Sequence, residues 1–302
     1  MKSVFFGTSA FAVPSLRELA NCTQIAAVVT QPDRPAGRGH TMVPTPVKTA
    51  ALELGLIVHE PERLRPFAVE LAALSADVFA VASYGRILPR ELLDVPASGI
   101  AFNVHPSLLP LYRGATPLQS AIRDGGTETG VTIIAMDAGM DTGDVLLQER
   151  TDIAPDETYG ALHDRLAVDG ARLLREAVGR YEHRTLQRTP QGALGVAAAD
   201  IERTLTRPLA KDDLVIDWTQ KPERIVNLVR SLAPAPSARG SLDGSRVKIL
   251  SARAGSADEH GITRDDGYAV PAGSGSVVLL RVVPPNRGAM TGAAYARAKL
   301  AV

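Results

Sequence analysis

Ala101-Phe102-Asn103-Val104-His105-Pro106-Ser107-Leu108-Leu109-Pro110 opens a stretch that passes Arg113-Gly114-Ala115-Thr116-Pro117 and closes on Met136-Asp137-Ala138-Gly139-Met140-Asp141-Thr142-Gly143-Asp144. The apolar runs at 100–104 and 131–136 read as short buried strands, each ending in a breaker-rich loop. In an open parallel sheet, loops at the carboxyl ends of strands line the ligand crevice. Asn103 and His105 lie two apart on one extended segment, so their side chains point the same way. Asp141 comes from the neighbouring loop. An amide donor, an imidazole and a carboxylate converging there make a site for attack of an amine on an acyl carbon. The amide and a protonated imidazole would stabilise the oxyanion, and the carboxylate would orient the imidazole or take a proton through water. No Ser or Cys nucleophile is required. Taken singly, Asn103 reads equally as a turn residue, His105 as a hydrogen-bonded loop histidine and Asp141 as a cap.

Outward from this stretch, further buried strands are expected at 3–6, 25–30 and 77–83, with helices starting near Ser15 and over 47–54. Alternation of this kind implies an α/β fold with a doubly wound parallel sheet. The turn at Gly7 lacks G-x-G-x-x-G, so a dinucleotide cofactor is not indicated. A strand at 145–150 and a long helix over 158–181, with Leu162, Leu166, Leu173 and Val178 on one face, complete a first domain at 1–182. Residues 183–204 show no clear period and read as a linker. In 205–302, a helix at 223–232 precedes short alternating runs at 247–251, 268–270 and 277–283 separated by glycine turns, a pattern that suggests a small OB-like β-barrel.

The loop from Gln31 to Pro46 is long for an ordered connection and rich in Pro and Gly. It carries Arg34, Arg38 and His40, with Lys48 at its end. Those cations could grip a phosphate backbone; the plainer alternative is a solvated surface loop.

Composition sets the outer bounds. At 302 residues, 45% hydrophobic and 22% charged, the chain can bury a proper core. The single cysteine, Cys22, leaves no internal disulfide framework and no cysteine-based zinc site. The six histidines show no metal-ligand spacing, so no metal is expected. No apolar stretch approaches the roughly 18 residues of a spanning helix, and the first residues are no signal peptide, so a cytoplasmic location without membrane partner is expected. Formal net charge is zero, yet residues 205–302 hold 14 Lys/Arg against 9 Asp/Glu. That asymmetry is compatible with a basic second domain docking a polyanion.

Asn-x-His-x-Ser-Leu-Leu-Pro, then Arg-Gly-Ala, then Asp-x-Gly-x-Asp-Thr-Gly-Asp, resembles the folate-dependent formyltransferases. The resemblance extends to Phe5-Phe6-Gly7-Thr8, Phe11-Ala12-Val13-Pro14-Ser15, the segment from Thr30 to Gly39, and Ile216-Asp217-Trp218. It implies a Rossmann-like formyltransferase domain followed by a C-terminal OB-like tRNA-binding domain. It implies Asn103, His105 and Asp141 as the catalytic trio, and Ser107, Leu108, Leu109 and Pro110 as the border of a folate site. The donor substrate would be 10-formyltetrahydrofolate. The acceptor would be initiator methionyl-tRNA, gripped by the loop bearing Arg34, Arg38 and Lys48, with the protein a monomer serving translation initiation. A sugar-nucleotide or glycinamide-ribotide N-formyltransferase with the same trio is the alternative within enzymes. Outside enzymes, the alternative is a tRNA-binding module that has lost catalysis. The segment Ala233-Pro234-Ala235-Pro236-Ser237 lacks the polar and aromatic residues that the family usually carries there.

Overall fold

A computed structural model describes residues 1–36, 41–242 and 244–300. The elements in chain order are β1 (Lys2–Gly7), α1 (Ala12–Cys22), β2 (Gln24–Val29), β3 (Arg34–Ala36), β4 (Thr41–Val43), α2 (Pro46–Glu53), β5 (Val58–His59), α3 (Leu64–Ala73), β6 (Val78–Ala82), α4 (Arg90–Leu93) and β7 (Ala101–His105). There follow α5 (Pro117–Arg123), β8 (Glu128–Ala135), β9 (Val145–Asp152), α6 (Tyr159–Glu182), α7 (Ala198–Arg203) and α8 (Pro222–Leu232). The last are β10 (Ala238–Leu242), β11 (Ser245–Gly255), β12 (Gly261–Ile262), β13 (Tyr268–Ala272), β14 (Gly275–Val283), β15 (Met290–Thr291) and α9 (Gly292–Leu300).

Contacts divide the chain into two compact units that are not contiguous in sequence. One comprises 1–115, 129–151 and 163–206, the other 116–128, 152–162 and the residues from 207 onward. The first is built on a seven-stranded sheet in the order β5-β2-β1-β6-β7-β8-β9. Strands β1, β2, β5, β6 and β7 are parallel, and β1 and β6 are buried along nearly their whole length, as strands covered on both faces are. Strand β8 runs antiparallel to β7, pairing Phe102 with Ala135 and His105 with Thr132. The doubly wound parallel sheet expected from the sequence is present, and β8 makes it mixed. Two strands buried on both faces carry no signal of relative direction, so periodicity could not report this.

The pleat of β7 separates core from site. Phe102 and Val104 point toward α6, where Phe102 meets Tyr181 edge-on and Val104 fills the space left by Gly170; a Cβ there would lie 2.6 Å from a Val104 methyl. Asn103 and His105 therefore emerge on the opposite face. On that face the sheet packs Val4, Phe6, Phe79 and Val81 against Leu64, Phe67 and Leu71 of α3. Removing a buried ring such as Phe79 would cost about 3–5 kcal/mol.

The loop at 31–46 is not irregular at its ends: β3 and β4 pair antiparallel, Arg34 opposite Val43 and Ala36 opposite Thr41. Its exit is fixed by Thr45, whose hydroxyl accepts from the Lys48 N–H and caps α2, and by Pro46 in the first turn. Arg38 and His40 lie outside the described residues.

The second unit carries the antiparallel strands anticipated for the C-terminal domain, in the order β10-β11-β14-β13-β12, with β15 added to β14. Its core gathers Leu214, Ile225, Val229, Val247, Ile249, Val277 and Leu279 beneath α8. Helix α5 belongs to this unit and packs on α8. Among the described residues, no helix is long and apolar enough to cross a membrane.

One ion-pair network in this unit has a defined pH signature. Arg253 donates through Nε and Nη2 to Asp265 and through Nη1 and Nη2 to Glu259, while the Thr263 hydroxyl also donates to Asp265. The Arg253 guanidinium beside Asp265 holds its carboxyl well below the usual aspartate range. A depressed folded-state value contributes stability above the unfolded value of about 4, and the contribution fades as pH falls through the folded one. Arg253 and Asp265 are 38% and 41% exposed, so the pair is worth about 1 kcal/mol or less. Asp265→Asn is expected to lower the melting temperature slightly and equally at pH 7 and pH 5, with the gap to wild type narrowing below about pH 4. Thermal melts across that range check this; a gap of constant size down to pH 2 would contradict it.

Candidate active site

Three side chains meet at the carboxyl end of β7, on the face opposite α6. The carboxylate of Asp141 lies 3.6 Å through Oδ2 from Nδ1 of His105, and Asn103 Nδ2 donates to Oδ1 at 3.5 Å. His105 is buried, and Asp141 and Asn103 are half-buried. Because β8 is antiparallel to β7, its carboxyl end lies beside Phe102, and the loop at 136–144 must return along β7 to deliver Asp141 to His105. At about 3.3 Å per residue that return is roughly 10 Å. Asp141 takes a left-handed backbone (φ +54°), a conformation that Asp tolerates better than most residues. The turn before it is closed by Asp137, whose Oδ1 accepts from the Gly139 N–H and the Thr142 hydroxyl.

Two backbone groups complete the constellation. The Gly114 N–H donates to Asp141 Oδ2 at 2.9 Å, and His105 Nε2 donates to the Tyr112 carbonyl at 3.0 Å. Tyr112 is itself left-handed (φ +57°), which turns that carbonyl toward the ring. Both ring nitrogens of His105 thus face acceptors, a carbonyl and a carboxylate. The neutral Nε2–H tautomer satisfies the first alone; the cationic ring satisfies both. Gly114 is required by geometry: its φ is +106°, and a Cβ would stand 2.2 Å from the Thr206 carbonyl oxygen.

The four residues expected to border a folate site hold the loop after β7. Ser107 is fully buried and its hydroxyl donates to the Leu111 carbonyl. Leu109 packs with Ile134 and Val145, Pro110 is buried, and Leu108 lies half-buried over Gly130. The loop is fastened to the sheet by the buried Thr132. Its hydroxyl donates to the Ser107 carbonyl and accepts from the Leu109 N–H and from Gln148 Nε2, which also donates to the Leu109 carbonyl.

Of the cations expected to face a nucleic acid, Arg34 is exposed and bonds Gln31 Oε1. Lys48 is committed elsewhere. Its ammonium donates to Asp33 Oδ2 and Glu60 Oε2, both at 2.8 Å, and those bonds push its pKa above the ordinary lysine value. Arg38 lies outside the described residues. Among the described residues, no group of three or more His, Cys, Asp or Glu could hold a metal ion.

Sequence reasoning missed the Gly114 N–H, the Tyr112 carbonyl and Gln191, a buried side chain from the stretch read as a linker. Gln191 accepts from Arg113 and donates to the carbonyls of Asp141 and Gly143. Arg113-Gly114 already stood out in the motif; nothing local signalled Gln191.

Residues 1–178 match the family described as formyl transferase, and residues 208–300 match formyl transferase, C-terminal domain. The methionyl-tRNA formyltransferase of Syntrophus aciditrophicus is 45% identical over 296 residues, covering 95% of this chain and 92% of the relative. That of Myxococcus xanthus is 42% identical, covering 97% and 93%. Among solved structures, the N-formyltransferase from Helicobacter canadensis, in complex with folinic acid and dTDP-3-aminofucose, superposes with a TM-score of 0.66 at 18% identity over 92% of this chain and 98% of its own. At that identity the likeness is one of fold.

Gly114→Ala is expected to cost about 2 kcal/mol or more, lowering the melting temperature by roughly 4 °C or more, since the added methyl meets backbone and the φ is unsuited to an L side chain. Calorimetry checks this; a melt within a degree of wild type would mean that the Gly114–Thr206 approach relaxes freely.

Proposed function

The chain belongs to the formyl transferase family, and from that premise we propose that it transfers the formyl group of 10-formyltetrahydrofolate to the amino group of methionyl-tRNA, the charged initiator in protein synthesis. The observation that carries the reading is the convergence of Asn103 and His105 on the Asp141 carboxylate, in a chain similar over nearly its whole length to methionyl-tRNA formyltransferases.

In the reaction the amine nitrogen attacks the formyl carbon, and the C–N10 bond of the donor breaks as the new amide C–N bond forms. The amine gives up one proton and N10 gains one. Negative charge gathers on the formyl oxygen in between; the Asn103 amide has a second N–H beyond the one given to Asp141 and would donate it there, and the His105 ring would do so by releasing the Tyr112 carbonyl. Asp141, already accepting from Gly114, holds the ring in register and is the group placed to relieve the amine of its proton through water. The donor's folate would lie along the 107–110 loop. The inward turn of Ser107 and Leu109, and the commitment of their backbone to Thr132 and Gln148, leave the half-buried Leu108 side chain to meet it.

For the large substrate, the β3–β4 hairpin is the element we assign to the tRNA. Arg34 and Arg38 would contact phosphate, their planar forks suiting bidentate donation. Lys48 acts there by holding the hairpin's base to α2 and to Glu60.

Transfer of labelled formyl from 10-formyltetrahydrofolate tests the reading, with charged initiator tRNA, an amino-sugar nucleotide and glycinamide ribotide as competing acceptors. Methionyl-tRNA should be used best; preference for a small acceptor would overturn the assignment. His105→Ala should lower kcat by about 10²–10³-fold with little change in folate binding. Asp141→Asn should both slow transfer and alter its pH–rate profile. A folded His105→Ala protein with full turnover would remove that residue from the chemistry. Arg38→Ala should weaken use of charged tRNA, leave the folate Michaelis constant nearly unchanged, and flatten the salt dependence of tRNA binding by about one unit of slope or less. An unchanged slope would argue against a phosphate contact.

A further inference from the structure

Gln191 lies in a short 3₁₀ turn, Gln191–Leu194, within the stretch that follows α6. Just before it, Thr189 and Val145 exchange backbone hydrogen bonds at 2.9 Å in both directions, which registers this stretch against the start of β9. The Gln191 side chain is 4% exposed, and all of its hydrogen-bonding capacity is spent on the two loops around Asp141. Nε2 donates to the carbonyls of Asp141 and Gly143, both at 2.8 Å. Oε1 accepts from Arg113 Nε at 3.0 Å and Nη2 at 2.7 Å. A primary amide has two N–H bonds to give and one oxygen to offer, so nothing is left over.

We propose that Gln191 is a positioning residue for formyl transfer: it sets the Asp141 carboxylate against His105 by clamping both backbone segments on which that carboxylate depends. The first segment is the turn 141–143. Asp141 is held left-handed at a cost of about 1–2 kcal/mol, so its peptide needs an external tie to stay there. Gln191 ties the turn at both ends. The second segment is Arg113-Gly114, whose N–H donates to Asp141 Oδ2. The Arg113 side chain ends on Gln191, and its carbonyl accepts from the N–H and hydroxyl of Thr206. One amide therefore fixes the donor and the acceptor of the same carboxylate contact. Gln191 touches neither His105 nor Asn103 in any hydrogen bond described, so its influence runs through Asp141.

The competing account is that Gln191 only docks its own segment. Gln191→Glu separates the two. The glutamate keeps an oxygen for the Arg113 guanidinium and gains an ion pair, so docking persists. It loses both N–H donors and turns a charge toward the Asp141 and Gly143 carbonyls. Three readouts apply: melting temperature, steady-state kinetics with a pH–rate profile, and the ring ¹⁵N NMR signals of His105, assigned by comparison with His105→Ala. Positioning predicts a cooperative melt, lowered by the two carbonyls left without donors, kcat lowered roughly tenfold to a hundredfold with both Michaelis constants nearly unchanged, an altered pH–rate profile, and displaced His105 signals. Wild-type kcat with unmoved His105 signals would overturn the proposal in favour of docking alone, as would a raised Michaelis constant at unchanged kcat. Should Gln191→Glu fail to fold, Gln191→Met, of like length without hydrogen-bonding groups, is read by the same criteria. The kinetic arm rests on the formyl-transfer reading; the NMR arm needs no turnover. Absence of transfer by the wild-type protein would therefore sink the reaction assignment, while the His105 signals still decide the role of Gln191.

Discussion

The carboxylate of Asp141 is the contact on which the site depends, and it is assembled against the grain of the sheet. In a wholly parallel arrangement the loop after β8 would open beside the end of β7, and Asp141 would arrive at His105 directly. With β8 antiparallel, that loop starts at the wrong end of β7 and has to double back. The return demands the left-handed residue at Asp141, the Asp137 turn and the close passage of Gly143, where a Cβ would lie 1.8 Å from the Ala135 carbonyl oxygen. The glycines and aspartates of the 137–144 motif are thus a record of backbone geometry, and Asp141 carries that geometry as well as the catalytic role proposed for it.

What could be read in advance follows from how local each signal is. Strands β1 and β6 carry apolar runs next to breakers, β7 an apolar run interrupted by Asn103, and the long amphipathic stretch became α6, so their existence needed nothing beyond the local pattern. Asn103 and His105 share a face because the side-chain period of a strand is two, and that too is local. The direction of β8 is not, since Val131, Ile133 and Ile134 are buried whichever way the strand runs. The hairpin of β3 and β4 escaped because each arm has three residues, those of β4 all exposed, leaving no alternation to detect. Gln191 escaped for a stronger reason: its partners are 48, 50 and 78 residues away in the chain, and a lone glutamine in an aperiodic stretch carries no trace of them.

Lys48 has a structural commitment that its residue type does not announce. A lysine closing a Pro- and Gly-rich loop that also carries arginines invites assignment to a phosphate. Its ammonium instead meets two carboxylates within hydrogen-bonding distance, and one oxygen of each of those carboxylates is buried without a further partner. Removing the lysine would leave two half-buried acids facing each other, which is a structural penalty before it is a functional one. The pair of acids also outnumbers the single cation, so the base of the hairpin is no cationic platform.

The network around the loop at 107–110 makes a related point about rigid sites. Thr132 and Gln148 spend their hydrogen bonds on the carbonyls and N–H of Ser107 and Leu109, so the loop is held by the strands on which it rests. Asp141 is held in the same manner from the other side, by Gly114 and through Gln191. A carboxylate and an imidazole 3.6 Å apart would gain little from proximity if either loop were free to move, because misplacement by about 1 Å can cost a hundredfold in rate. Thr132 and Gln191 are buried, so water does not compete for their bonds, and the part-buried bonds of the exposed Gln148 add to the same anchor; side chains that would not touch substrate thus hold the loops on which the proposed chemistry depends.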